Sequence, residues 1–477
     1  MNKMRTPWKL SAGELAMLLE SGDLRPDDLL EACLTRIAKV QLHLNPMTHV
    51  AKDSARLAAE QARERQVRGE RRGPLDGVPV TVKDNLHVAG MPATWGSQIY
   101  RHFVPEFDDI AVERLRAQGA IIVGKTNTPE FALAGRTENR IFGLTRHPWN
   151  PGLNPGGSSG GAVTCVATGC APLALATDAG GSGRLPAAYT GVVGMRPSNG
   201  AIARCHGFPA LVPDFQVIAP MARTVADLAL MMRCISGPDP RDPLSCRYIS
   251  LGSPPPPSKL RIRMALEIGV DEGGGQRVAP VDPEVRANVR AAAVTLRGLG
   301  YIVEEGPVPF HLQQVRLMWR SLAAAGVARV AEAFPKWEDQ VTDSIAATAR
   351  HGLSLSASDY VRALDALALL RARVSSECQD YDVLLTPTSA APAFPIERLY
   401  PKTIDGVPAD IQSMSIFTTW VNACGLPAIS LPVEPAADGR PIGMQMVGRF
   451  GADELLLDIA ARFEVAAPWA HRWPKDM

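Results

Sequence analysis

Three consecutive segments between residues 76 and 127 constrain the fold more than anything else in the chain. "DGVPVTVKDN" is a short β-branched run, "DIAVERLRAQG" carries the apolar spacing of an amphipathic helix and ends on Gly119, and "AIIVGKTN" is a second buried-strand pattern. Strand, helix, strand in that order calls for a crossover between parallel strands, and so for an α/β architecture. The helical period returns in "PEVRANVRAAAVTLRGLG" before "YIVEE", and strands resume at "DVLLTPT" and "AISLPV". Strand-like segments thus occur before residue 200 and after residue 380. The expected fold is a single large α/β/α domain over residues 1–477: a central, mostly parallel but mixed, twisted β-sheet covered by helices on both faces. Residues 1–70 read as outer helices, opened by Ser11 at capping-box distance from Glu14. Residues 75–200 form the core, about 225–380 a mostly helical substrate-side region, and 382–450 the C-terminal strands that complete the sheet. "SPPPPSK", 253–259, reads as a stiff surface connector.

Length and composition narrow the function classes. A chain of 477 residues that is 46% apolar can bury a large core. Its 50 basic and 49 acidic residues are interspersed, without the basic stripe that marks a nucleic-acid or anionic-membrane surface, so the expected partner is a small, near-neutral molecule. "MNKMRTPWKL" is not followed by an apolar stretch, and no apolar run approaches the ~18 residues of a membrane span. A cytoplasmic location is expected. The 8 cysteines form no CxxC pair and no Cys/His zinc spacing, and read as reduced, mostly buried thiols with no metal.

Two motif matches fail on local chemistry. "GAIIVGKT", Gly119 to Thr126, fits the phosphate-loop pattern, but its β-branched interior favours a strand over a loop of inward-turned N–H groups. GxSxG fits around both Ser158 and Ser159, yet a nucleophile elbow must follow a strand, and "PWNPGLNP" is a turn-rich loop.

The serines make sense as a pair of loops. "GGAVTCVATG" is a small-residue helix, about 15 Å long for ten residues, and "APLALATD" is a strand of about 17 to 20 Å. A strand running back along the helix brings the "PGGSSGG" loop beside "DAGGSGR", and so Ser158 beside Ser182. The first loop sits at a helix N-terminus, which favours developing negative charge. In the second, the successive N–H groups of Ala179, Gly180, Gly181 and Ser182 can form an oxyanion hole. Lys83 ends a buried apolar strand, where desolvation turns an amine into a proton acceptor. Taken alone, Lys83 could equally pair with Asp84 or a distant carboxylate.

These residues resemble the amidase signature family. "NPGGSSGGAVTCVATGCAPLALATDAGGSGRLPAAYTGVVGMRPS", residues 154–198, is similar to the signature segment itself. "LDGVPVTVKDN", "GAIIVGKTNTPEFA", "DVLLTPT", "NACGLPAISLPV" and "PIGMQMVG" resemble further family blocks along nearly the whole chain. The resemblance implies Ser182 as nucleophile, Ser158 as a bridging serine on a cis peptide bond, and Lys83 as the base acting through it. It implies acyl transfer that cleaves the C–N bond of a small carboxylic amide, with esters and carbamates open to the same chemistry, and no metal or organic cofactor. A glutamine-hydrolysing component of an RNA-dependent amidotransferase complex is the alternative; Leu185 stands where those relatives usually carry Gln. Family members usually carry a bulky residue after the nucleophile, and Gly183 here is expected to widen the site. Ser159 and Asp178 support the loops, Asp178 as an acceptor for loop N–H groups. Arg184 either binds a substrate carboxylate or holds the loop by an internal salt bridge. The interspersed charge and the lack of a long apolar run argue against nucleic acid or a membrane as partner, and a homodimer is left open.

Overall fold

In the computed structural model, residues 6–475 are described except 206, 253, 273, 274, 309, 311, 313 and 314. Residues 1–5 of the charged N-terminal stretch and Ser253 of the proline run therefore lie outside the described residues.

The alternation within the buried strands explains the layers. In the strand Ile121–Thr126, Ile121 and Val123 pack into one apolar cluster with Leu30, Ile37 and Ala55, whereas Ile122 joins Leu15 and Leu115 in another. Successive side chains of a strand point to opposite faces, so both faces of this strand are covered. The same holds in Leu173–Asp178: Leu173 and Leu175 enter the larger cluster, Ala174 and Ala176 a small-residue cluster with Ala162, Val163 and Val166.

Among the described residues the main sheet has 11 strands, flanked by 13 α-helices. In chain order the strands are β1 (Met47–Val50), β2 (Pro79–Lys83), β3 (Ile121–Thr126), β4 (Leu173–Asp178), β5 (Val193–Arg196), β6 (Val217–Ala222), β7 (Arg261–Met264), β8 (Ile302–Glu305), β9 (Val383–Pro387), β10 (Ala428–Pro432) and β11 (Gly443–Gly448). Across the sheet they run β1-β3-β2-β4-β6-β5-β10-β11-β9-β7-β8. The expected α/β fold with a mixed sheet assembled from both ends of the chain is present. Its parallel pairings, however, are confined to two flanks, β3-β2-β4 and β9-β7-β8. There the helices Ile110–Ala117 and Pro283–Gly298 make the crossovers between β2 and β3 and between β7 and β8. The middle, from β4 to β9, and the edge pair β1-β3 are antiparallel. Short connections such as the one between β10 and β11 cannot make the crossover that parallel strands need.

Three expectations change in detail. The first 70 residues supply three helices and also the edge strand β1. The 225–380 region is helix-rich but contributes β7 and β8 to the sheet. Of the cysteines, only Cys33, Cys165 and Cys170 are buried; Cys246 is exposed and the other four are half-buried. The capping box between Ser11 and Glu14 is formed. Among the described residues, no helix is long and apolar enough to cross a membrane.

The phosphate-loop match folds as its residues dictate. Gly119 takes φ +81° just past the helix Ile110–Ala117, and the following residues are the buried strand β3. Lys125 Nζ donates to the carbonyl oxygens of Leu86 at 2.6 Å and of Asp84 and Pro92 at 3.3 Å, so it is committed to closing the turn after β2.

Candidate active site

The helix Gly160–Thr168 is made of small residues because neighbouring backbone lies against it. A Cβ on Gly161 would sit 2.4 Å from the Asn127 amide nitrogen, and one on Gly160 2.4 Å from Thr137 Oγ1. After the helix, β4 returns along it and brings Thr177 and Asp178 to the level of the glycine–serine loop, where Ser159 Oγ donates to the Thr177 carbonyl at 3.4 Å. The Gly157–Ser158 peptide is cis.

β2 lies between β3 and β4 and delivers Lys83 to the same point. Its Nζ donates to Ser158 Oγ at 2.8 Å, Ser159 Oγ at 3.0 Å and Thr177 Oγ1 at 3.2 Å, and the side chain is fully buried. Among the described residues no carboxylate pairs with it. Asp84 instead accepts from the Thr94 amide at 3.0 Å and hydroxyl at 2.7 Å. Burial pulls the Lys83 pKa down to about 7, against the weaker opposing pull of the Asp178 charge. An amine with that pKa is substantially neutral at neutral pH and can take a proton from Ser158. Asn85 Nδ2 donates to Thr177 Oγ1 at 3.0 Å and fixes the third partner of the lysine.

Ser182 follows the end of β4, half-buried, and lines a cavity of about 450 Å³ together with Ser158, Thr177, Ala179 and Gly180. Gly181 turns the loop at φ +117°, a conformation that disfavours side chains, and a Cβ there would lie 2.3 Å from Thr418 Oγ1. Its N–H donates to Asp178 Oδ1 at 2.8 Å. This corrects the four-amide oxyanion hole: the Gly181 amide is spent on Asp178, while Ala179, Gly180 and Ser182 line the cavity. Thr418 and Thr419 hydroxyls hold the Gly180 carbonyl at 2.8 and 3.3 Å.

Beneath the loop, Asp178 accepts from the Gly183 amide at 3.0 Å, Arg184 Nε at 3.0 Å, Arg184 Nη2 at 3.1 Å and Asn422 Nδ2 at 2.8 Å. Burial alone would raise its pKa, but the Arg184 guanidinium, the Asn422 hydrogen bond and the Arg196 charge together outweigh it and hold the carboxyl well below the usual range. Asp178 is thus the loop acceptor expected. Arg184, fully buried, also reaches Gln445 Oε1 at 2.6 Å and Asn422 Oδ1 at 2.5 Å, so of its two readings the internal salt bridge is the one formed. Gly183 does not widen the cavity as expected. Its Cβ would point at Ala219 Cβ, 3.0 Å away, and Asp178 Oδ2, 3.2 Å away, on the packed side of the loop.

Sequence reasoning missed Thr177, Asn85, Thr418, Asn422 and Gln445. Gln445 left a signal, a lone amide in the otherwise apolar strand "GMQMVG", and Asn422 opens the block "NACGLPAISLPV" although its partners Asp178 and Phe215 lie more than 200 residues away; Thr418 left none, because Gly180 lies 238 residues away.

A mixed sheet carrying a buried lysine, two serine loops and one shared cavity defines a class of hydrolase, and the comparisons give it a family. The Amidase family model matches residues 28–457, and the chain belongs to the amidase signature family. It is an amidase, a hydrolase of carbon–nitrogen amide bonds. It is similar to an acylamidase of Rhodococcus erythropolis, 34% identical with 100% of this chain and 99% of that protein covered. It is also similar to a glutamyl-tRNA(Gln) amidotransferase subunit of Synechococcus sp. (strain CC9605), 34% identical with 94% of each covered. Among solved structures it resembles a bacterial aryl acylamidase of the amidase signature family, TM-score 0.87 and 28% identity over 97% of both chains. A 6-aminohexanoate cyclic dimer hydrolase complexed with substrate matches with TM-score 0.85 and 28% identity, over 98% of this chain and 99% of that one.

Proposed function

We propose that the chain is a free-standing amidohydrolase that cleaves a small carboxylic amide through a Ser182 acyl-enzyme. The observation that carries this reading is Lys83, buried without a carboxylate, 2.8 Å from Ser158 at the edge of the cavity that Ser182 lines. Ser182 Oγ adds to the amide carbon, its proton passing through Ser158 towards Lys83, and the carbonyl π pair moves onto oxygen. In this reading the backbone amides of Ala179, Gly180 and Ser182, the loop residues that line the cavity, stabilise that oxyanion. The oxyanion then collapses, the C–N bond breaks, and the amine leaves with the proton that Lys83 returns through Ser158. Water repeats the addition on the ester, releasing the acid and restoring the Ser182 hydroxyl. The same steps serve esters and carbamates. In this reading the enzyme works in the cytoplasm without cofactor, alone or as a homodimer, and its partner is the small substrate rather than a nucleic acid or a membrane.

Ser182→Ala is expected to remove amine release from a panel of simple amides, and a fluorophosphonate is expected to label Ser182 in the wild type. Activity that survives the substitution would sink the assignment.

A second reading follows from the glutamyl-tRNA(Gln) amidotransferase relatives: release of ammonia from glutamine within a complex. Leu185, on the cavity wall, counts against it. Co-purifying partner chains together with glutaminase activity would favour this reading over turnover of simple amides by the purified chain.

A further inference from the structure

Trp319, on the helix Val315–Ala331, is half-buried and comes over the nucleophile loop from the helical layer: a Cβ built on Gly180 would meet its Cη2 at 3.4 Å and its Cζ2 at 3.8 Å. The indole is tilted against buried Phe215, ring centroids 5.6 Å apart, which fixes it from behind, and it lines the cavity beside Ser182. Other aromatic liners include Phe131, Tyr189 and Phe394. Among the described residues charge is almost absent from this surface. Arg136 and Glu138 are the only charged residues that line it, among the described residues, and they are ion-paired to each other. Lys83, Asp178 and Arg184 beneath it have their hydrogen bonds inside the protein. A ligand that carried its own charge would lose water without gaining a partner.

Resting on the Ser182 reading above, we propose that Trp319 is the specificity-determining residue for an uncharged amide bearing an aromatic ring next to its carbonyl or its nitrogen, the ring packing on the exposed part of the indole while the amide reaches Ser182. Offset or edge-on ring contacts of that kind favour an aromatic ligand over an aliphatic one of equal area by about 0.5–1.5 kcal/mol, hence up to about tenfold in affinity.

The test compares benzamide, with the ring on the acyl side, acetanilide, with the ring on the amine side, hexanamide, and 4-carbamoylbenzoate, using wild type, Trp319→Leu and Trp319→Phe. At least one ring-bearing neutral amide is expected to exceed hexanamide about two- to tenfold in kcat/KM, and benzamide against acetanilide tells which side of the bond carries the ring. Trp319→Leu is expected to erase that ratio through KM, Trp319→Phe to keep most of it, and the carboxylate analogue to react at least about tenfold more slowly than benzamide. A small methyl fluorophosphonate should label Ser182 equally fast in all three proteins. An aryl-to-alkyl ratio near one in the wild type, or one unchanged in both variants while labelling is normal, overturns the role of Trp319. Equal turnover of the carboxylate analogue overturns the exclusion of charge. Failure of the phosphonate to label wild-type Ser182 overturns the nucleophile reading instead.

Discussion

An amine whose neighbours are three hydroxyls and whose burial finds no carboxylate gives up its proton about three orders of magnitude more readily than lysine in water, which is what the fall in the Lys83 pKa from 10.5 to about 7 means. The direction fixes a pH profile. Below about 7 the amine is a cation that can only donate, and Ser158 cannot pass it a proton, so kcat/KM should fall as the pH drops through that value and level off above it. Lys83→Met should remove this limb together with about 10²- to 10⁴-fold of the rate, read as initial velocity from pH 5 to 9. A limb that persists in the variant would assign it to another group. At this scale the sequence was informative about placement: it put Lys83, Ser158 and Ser182 together, and Lys83 lies 2.8 Å from Ser158, which lines one cavity with Ser182. It misled where glycine was read as openness. Gly181 and Gly183 are small because Thr418, Ala219 and Asp178 press against them, and the contacts with Thr418 and Ala219 join positions that no short motif spans.

Among elements, the unit formed by the helix Gly160–Thr168 and β4 was legible because two local lengths, helix rise and strand rise, nearly cancel. What locks it was not. The Asp178–Arg184 pair is clasped by Asn422, in the helix Thr419–Cys424, and by Gln445 on β11. The guanidinium contacts both Asp178 oxygens, an arrangement that a lysine ammonium cannot reproduce. Arg184→Lys is therefore expected to destabilise the fold by about 2–4 kcal/mol, measured by urea denaturation, because it strands buried acceptors. The same variant should leave the KM ratio between charged and neutral amides unchanged. A selective loss for carboxylate-bearing substrates would mean that Arg184 reaches the substrate after all.

For the whole molecule, the crossover strands announced an α/β sheet, and the sheet's ends in the chain were visible because both ends carry continuous apolar strands. The antiparallel middle was hidden, because β5 is only "VGMR" and β6 contains a proline, and so was the parallel flank, where β7 and β8 are four-residue strands among long helices. Only pairing with strands about 30 to 230 residues away makes them strands. β10 and β11 join the two halves, pairing with β5 on one side and β9 on the other. Removing residues 420–477 should consequently unfold the whole chain rather than leave a folded N-terminal half, seen as complete susceptibility to limited proteolysis and loss of the cooperative thermal transition. A protease-resistant fragment covering β1 to β6 would contradict this.

The clasp on Asp178 and Arg184 also has a meaning in time. Lys83, Ser158 and Ser182 are all synthesised in the first two-fifths of the chain, yet the loop that carries the nucleophile is held by side chains that arrive at 418, 422 and 445. If the proposed roles hold, a nascent chain on the ribosome carries all three of these residues before the side chains that aim them, and hydrolytic competence is expected only once the last strand has joined the sheet.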